Sequence, residues 1–352
     1  MTTIDEPATK KQRLAVNRAG MSTTTLKNVG DRQKTAQRLL RSTADRAYDG
    51  EVDIAWDMPP DPDKLWMPVH RVSIYGTELW DKLTPEQQYI LGKHELVAIL
   101  SFGIAAEVGL SSMLLRQVLE SDELVDDHSR YALAEVGEET RHSTMFSRLI
   151  NLTGVRAYRP PAAMVYFFRI MGFIPRGPAA LAGTLLIEEL LDRLQREAMN
   201  EPGMQPHVVQ LMKIHVLEEA RHITYAREEL VRTIQARGRV SNAIHRGLFA
   251  VQNLLVQPTL VNPLVYKSVG IKPLTGLRAA FTGPLAREQA QFRSEELMRF
   301  LYEVGMIQGR ITTRLYKLSK ALPDDILADL ENQEGHDMAA ATDIARGEGA
   351  AA

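Results

Sequence analysis

The chain has 352 residues, 45% of them hydrophobic, a formal net charge of -2 and no cysteine. That length suffices for one large domain or two small ones, and the near-neutral charge leaves no footprint for nucleic acid or a membrane surface. Without cysteine, disulfide, zinc-thiolate, iron–sulfur and thiol-nucleophile chemistry are excluded, so any metal must be held by histidine and carboxylate.

No apolar run of about 18 residues is read from the sequence, so no membrane span is expected. The N-terminus lacks the apolar core of a signal peptide. A cytoplasmic protein is the default expectation.

In chain order, residues 1–30 are polar, with Lys10-Lys11-Gln12-Arg13, and read as a flexible arm; Met21 is an alternative start. Residues 31–48 read as helix, and 49–70 as a Pro- and Asp-rich loop wrapping the core. Thr84-Pro85-Glu86-Gln87 is a helix start with a capping pattern, for a helix over about 85–119. From Val97 to Leu115 its only ionisable residue is Glu107, a carboxylate costly to bury without compensation. Gly103 and Gly109 allow close packing there. His94 and Glu95 are expected at the surface or an entrance.

Ser121-Asp122-Glu123 is read as the cap of a second helix running to about 151 with Glu139 and His142. Glu135 lies one turn earlier, either near the site or on the surface. Arg141 and Glu138 read as a solvated or structural ion pair. Residues 152–178 are a crossover with the aromatic patch Val165-Tyr166-Phe167-Phe168, and Pro178 opens a third helix. Its apolar start ends at Glu188, preferred over Glu189 as a ligand, with Asp192 one turn on. A turn at 201–206 leads to a fourth helix ending near 236. Residues 241–321 read as short helices packed on the others, and 323–352 as a loosely ordered tail, leaving 31–322 as one domain.

The fourth helix carries His215, Glu219 and His222 at i, i+4 and i+7, one stripe of a helix. Two imidazoles and a carboxylate on one stripe can grip a transition metal. Glu138-Glu139-Thr140-Arg141-His142 repeats Glu218-Glu219-Ala220-Arg221-His222 at a distance of 80 residues. Glu107 precedes Glu139 by 32 and Glu188 precedes Glu219 by 31. The order Glu, ExxH, Glu, ExxH in two similar halves is the ligand pattern of two-metal four-helix bundles. Four carboxylates and three imidazoles suit two metals better than the single metal of a zinc hydrolase. The expected fold is therefore all-α, a ferritin-like four-helix bundle with flanking helices. Its expected ligands are Glu107, Glu139, His142, Glu188, His215, Glu219 and His222. One ion would take Glu107, Glu139 and His142, the other Glu188, Glu219 and His222, with one or two carboxylates bridging. The oxygen-rich set favours two iron ions, with manganese as the other option. No flavin or nicotinamide fingerprint is present, so an external reductase or small donor must supply electrons.

On these residues the chain resembles the p-aminobenzoate N-oxygenase family of di-iron oxygenases over roughly residues 35–320. Ferritins, methane monooxygenases, ribonucleotide reductase small subunits and acyl-carrier-protein desaturases share the four-part order. They generally lack a histidine one turn before the second ExxH, where His215 stands. The resemblance implies a homodimer that uses dioxygen to oxidise a small amine, p-aminobenzoate-like, through hydroxylamine towards nitro. It also implies His215 as a third imidazole ligand. A fatty-acyl desaturase or C-hydroxylase, and a non-enzymatic ferritin-like iron-binding protein, are the alternatives.

Overall fold

A computed structural model describes residues 29–160, 162, 165, 166, 169 and 177–335. Residues 1–28 of the arm expected at 1–30, most of the crossover patch, including Phe167 and Phe168, and the tail beyond 335 lie outside the described residues. Every regular element among the described residues is helical. In chain order they are α1 (Arg32–Asp45), α2 (Glu78–Asp81), α3 (Pro85–Leu119), α4 (Asp127–Thr153), α5 (Pro178–Asn200), α6 (Pro206–Gln235), α7 (Arg239–Val256), α8 (Pro273–Thr282), α9 (Ala286–Glu303), α10 (Arg310–Ser319) and α11 (324–335).

The bundle is two helical hairpins, α3 with α4 and α5 with α6, packed face to face. Each start has a local cause. At α3 the Thr84 hydroxyl accepts from Gln87 N, and the Gln87 side chain accepts from Thr84 N, a complete capping box behind Pro85. Pro178 and Pro206 occupy the first turns of α5 and α6, where a missing N–H costs nothing. The cap of α4 is Asp126, whose side chain accepts from Ser129 N at 2.7 Å. The sequence reading placed it at Ser121. That residue instead closes a loop in which its hydroxyl accepts from Glu123 N.

Apolar faces fix the hairpins together. Leu96, Val97 and Leu100 of α3, Phe146 and Leu149 of α4, and Leu211 and Met212 of α6 form one buried cluster. Phe102, Ala106 and Leu110 of α3 meet Ile187 and Leu191 of α5 in another. The loop 49–70 wraps the first cluster with buried Trp56 and Trp66, and Leu65 pairs its backbone with Gly203 and Gln205 in the α5–α6 turn. Helices α7, α9 and α10 cover the outer face of α5 and α6. The expected loose tail is corrected for its first part: 324–335 is helical, with Ile326 and Leu330 buried against the same cluster as Leu297 and Tyr316.

Two segments, Pro85–Leu119 and Arg239–Val269, are long and apolar enough by composition to cross a bilayer. This corrects the reading that no such stretch exists. The first has 61% of that window buried inside the bundle and contains Glu107. The second is broken into α7 and two 3-10 turns at Pro258 and Pro263.

Gly103 lets α3 approach the Phe146 ring of α4 closely. A Cβ there would stand 2.9 Å from Cε2 of Phe146, whose ring lies 5.0 Å from that of His215. Gly103→Ala should therefore destabilise the fold by about 1–3 kcal/mol through overpacking. Urea unfolding reads this directly, and an unchanged midpoint would show that Phe146 has room to retreat.

Candidate metal centre

The four bundle helices bring all seven expected residues to one buried place. Glu107 comes from α3, Glu139 and His142 from α4, Glu188 from α5, and His215, Glu219 and His222 from α6; all are buried. Their donor atoms form two groups, each with all atoms within 4.8 Å of one another. The first is Glu107, His142, His215 and Glu219; the second is Glu139, Glu188, Glu219 and His222.

Glu139 and Glu219 lie between the halves. Glu219 places one oxygen 3.2 Å from His142 Nδ1 and the other 3.3 Å from His222 Nδ1. Glu139 lies 3.0 Å from His222 Nδ1 and 3.5 Å from His142 Nδ1. Each carboxylate is thus placed to bridge. The donor atoms of Glu139 group with Glu188 and His222 and those of Glu219 with both sets, and the places of the two carboxylates between the halves fit the expected bridging by one or two of them.

Each imidazole is turned by a specific partner. His142 Nε2 donates to Glu218 at 2.9 Å, and His222 Nε2 donates to Glu138 at 2.8 Å; a carboxylate only accepts, so these nitrogens carry the protons. Both Nδ1 atoms then face the centre. For His215 the roles are reversed: Nδ1 donates to Gln195 Oε1 at 2.7 Å, leaving Nε2 3.3 Å from Glu107 and 3.4 Å from Glu219.

Glu138 and Glu218 were missed as part of the site. Glu138 read as the partner of Arg141 in a solvated or structural pair; that pair is present at 3.6 Å, but Glu138 is fully buried and has closer partners on α6. The motif's first glutamate on each helix serves the histidine of the other helix. Arg221 braces Glu138 at 2.6 Å and Arg141 braces Glu218 at 3.1 Å. The signal was present in the sequence, since both motifs repeat Glu-Glu-x-Arg-His in full. Such outer partners orient metal ligands and typically matter 10–100-fold. Glu138→Gln should therefore weaken metal affinity by roughly 10–100-fold with the fold retained. A competition titration against a chromophoric chelator measures this, and wild-type affinity would show that Glu138 does not set the His222 ring.

The donor set has the unpaired atoms that two cations require. Both oxygens of Glu139 and of Glu219, Oε2 of Glu107, Oε1 of Glu188, and Nδ1 of His142 and His222 are buried without a hydrogen-bond partner. Buried polar atoms are almost always paired, and these converge on one place. Taken alone, the carboxylates share charge unequally. Burial, reinforced by the charges of Glu139 and Glu219, raises Glu107 and Glu188 well above the usual carboxylate range. Glu139 is held down to about 2 and Glu219 well below its ordinary value, against burial, by the protonated neighbours: the Glu107 carboxyl and the imidazoles for Glu139, the imidazoles and the Glu188 carboxyl for Glu219. Burial opposes charge on His142 and His222, but the surrounding carboxylates outweigh it and hold both well above the usual imidazole range. Burial pushes His215 down to about 3, so it is a neutral donor. Cations would replace the shared protons, and the residues fit two of them.

Glu189, the rival of Glu188, is turned away and held by Arg227, with Nε at 2.8 Å. Asp192 pairs with Arg196 at 2.7 Å. Glu135 is buried, with one oxygen unpaired, and burial pushes it up to about 8. It lines a cavity of about 440 Å³ with Thr184, Tyr225 and His128. The expectation of a surface or entrance Glu95 is corrected: it is buried, accepting from Ser73 N at 2.9 Å and from the Ser73 hydroxyl, because residues 69–75 fold over α3. His94 is half-buried against the Tyr158 hydroxyl at 2.7 Å.

Comparison with known proteins follows the same lines. Uncharacterized proteins of Mycobacterium bovis and Mycobacterium tuberculosis are 28% identical over 204 residues, 54% of this chain and 58% of theirs. The chain thus spans a little over half the length of these curated relatives. Among solved structures, a substituted R2-like ligand-binding oxidase with an aerobically reconstituted Mn/Fe cofactor is similar at 14% identity. It covers 83% of this chain and 99% of its own, with a TM-score of 0.46. Another substituted form, reconstituted anaerobically, has 16% identity, covers 86% and 98%, and has a TM-score of 0.42. The family profile described as P-aminobenzoate N-oxygenase AurF matches residues 29–305, and the chain belongs to that family.

Proposed function

We propose that the protein is a non-haem di-iron oxidoreductase that inserts oxygen from dioxygen into the nitrogen of a small amine, an arylamine of the p-aminobenzoate type. The observation that carries this reading is His215. It adds a third, neutral imidazole to a carboxylate-rich centre, with Nδ1 tied to Gln195 and Nε2 directed at Glu107 and Glu219. Family membership supports the same reaction class.

When bound, two irons held by Glu107, Glu139, Glu188, Glu219 and the three histidines would supply dioxygen reduction, a one- and two-electron chemistry the side chains lack. The chain's own residues do the rest. Glu138 and Glu218 keep the Nδ1 faces of His222 and His142 inward. The apolar faces of α3 and α5 exclude bulk water. Glu135, unpaired beside the centre and pushed up to about 8, can hold or release a proton near pH 7. The balanced step is amine plus dioxygen plus two electrons and two protons giving hydroxylamine and water. The electrons come from an external donor or reductase. A homodimer in the cytoplasm is the accompanying proposal.

The test is product analysis with ¹⁸O₂ on reduced, iron-loaded protein given p-aminobenzoate and, separately, a fatty-acyl substrate. Label in a hydroxylamine or nitro product supports the reading. Loss of this product in His215→Ala, with the fold intact, ties it to the third imidazole. A desaturated or C-hydroxylated acyl chain with the amine untouched would transfer the protein to the desaturase class. Iron uptake without any oxygenated product would leave the storage reading.

A further inference from the structure

Away from the metal ligands, α3, α5, α7 and α9 enclose a cavity of about 250 Å³. Apolar side chains form most of its wall; Arg71, Glu95, Lys320 and Arg293 of α9 line it as well, the Lys320 amine donating to the Phe281 carbonyl. The Nε of Arg293 is buried with no hydrogen-bond partner. Its charged neighbours are Arg71, Glu288 and Glu95, and each is engaged elsewhere. Arg71 pairs with Glu197 and, at 3.2 Å, with Glu288. Both Glu95 oxygens are taken by Ser73. Burial depresses Arg293 to about 10, so the guanidinium is still charged at neutral pH. A charge left without a partner in such surroundings is expensive, and an oxyanion in the cavity would compensate it.

The cavity does not end at Arg293. Met67, Ile99, Leu191 and Leu194 line it and also line a smaller apolar pocket that reaches Gly103, Phe146 and Gln195. Gln195 holds His215, and Phe146 packs on the His215 ring. These four apolar side chains are therefore the shared wall between the Arg293 cavity and the pocket that borders the metal centre.

We propose that this cavity binds the carboxylate of an otherwise apolar acid, with Arg293 as its anchor and the acid's body lying along Ile99, Leu191 and Leu194 towards the metal centre. Guanidinium and carboxylate match in planar geometry, so the pairing can be bidentate. The binding site stands on the cavity and Arg293 alone; only the further step, that the acid is the substrate, rests on the N-oxygenase reading.

Benzoate, octanoate and aniline are titrated calorimetrically into metal-loaded wild type, Arg293→Gln and Ala286→Trp, the last placing a ring in the cavity from its rim. At least one acid should bind wild type more tightly than aniline does. Tighter benzoate marks a site for a flat ring, and tighter octanoate a site for a flexible chain. Arg293→Gln should weaken acid binding about 30-fold, the loss expected for a charge-assisted hydrogen bond, while aniline is unaffected. Acid binding of equal strength in Arg293→Gln would put the carboxylate on the metals and overturn the proposal, as would failure of both acids to bind wild type. Should Arg293→Gln not fold, undiminished acid binding in Ala286→Trp would overturn it, and a loss there would support it. Arg293-dependent binding of acids with no amine ever oxidised would leave this site standing and remove the N-oxygenase reading. Amine oxidation with no Arg293 dependence of binding would do the opposite.

Discussion

Chelating the metal from the protein should lower its thermal midpoint by about 10 °C, with a larger loss at pH 8 than at pH 6.5. Cations that bind only the folded state at 1,000 times their dissociation constant contribute about 4 kcal/mol, and a chain of this size moves by roughly 2–4 °C per kcal/mol. The pH dependence follows from the site. In the metal-free protein Glu107 and Glu188 are raised well above 4.5 and Glu135 to about 8. The folded state therefore keeps protons that the unfolded chain gives up. Stability from these groups is complete below the unfolded value and is lost as pH rises through the folded one. His142 and His222, raised above 6.5, act in the same direction. His215 at about 3 and Glu139 at about 2 act oppositely, but at acid pH, outside this window. Metal removes the effect by taking the place of the protons. Differential scanning calorimetry at both pH values, with and without chelator, measures it. Equal metal-free midpoints would show that the buried carboxylates are compensated in another way.

Glu219→Ala should empty both halves of the centre. Glu219 is the one residue common to the two donor groups, with an oxygen facing His142 and another facing His222. Loss of Asp192 or Glu189 would spare the ions, because those two are held by arginines. Metal content by mass spectrometry should fall from about two ions per chain to below one, and any oxygenase activity with it, since the dioxygen chemistry needs the metals. Retention of one tightly held ion would mean that Glu139 alone can bridge, and that Glu219 belongs to one half only.

The ligand constellation was legible because metal binding imposes spacing along single helices, and spacing survives in a linear sequence. The third to fifth turns of α6 display His215, Glu219 and His222 without any tertiary information. The lone Glu107 and Glu188 stood out because each interrupts an apolar run. What was hidden depended on contacts between elements. Glu138 and Arg141 are three residues apart and invite a local pair, yet the stronger partners of Glu138 lie on α6. Burial of Glu95 is produced by Ser73, on a segment 22 residues earlier that reads only as loop. Helix 324–335 is polar enough to read as a loose tail, and only the few apolar residues it sets into the cluster, among them Ile326 and Leu330, hold it. Ser121 and Asp126 both have capping chemistry, and they differ in which N–H they reach: the Asp126 carboxylate accepts from Ser129 N of the helix, the Ser121 hydroxyl only from Glu123 N of the loop.

The crossed pairing of Glu138 with His222 and Glu218 with His142 has a consequence for the chain as two halves. A fragment ending in the turn at 201–205 would contain His142 without the acceptor for its Nε2 proton, and the complementary fragment would contain His222 in the same condition. Neither fragment would hold a correctly tautomerised imidazole by itself. The donor atoms become competent together, when the hairpins dock, so ion capture reports completed assembly rather than the folding of either part.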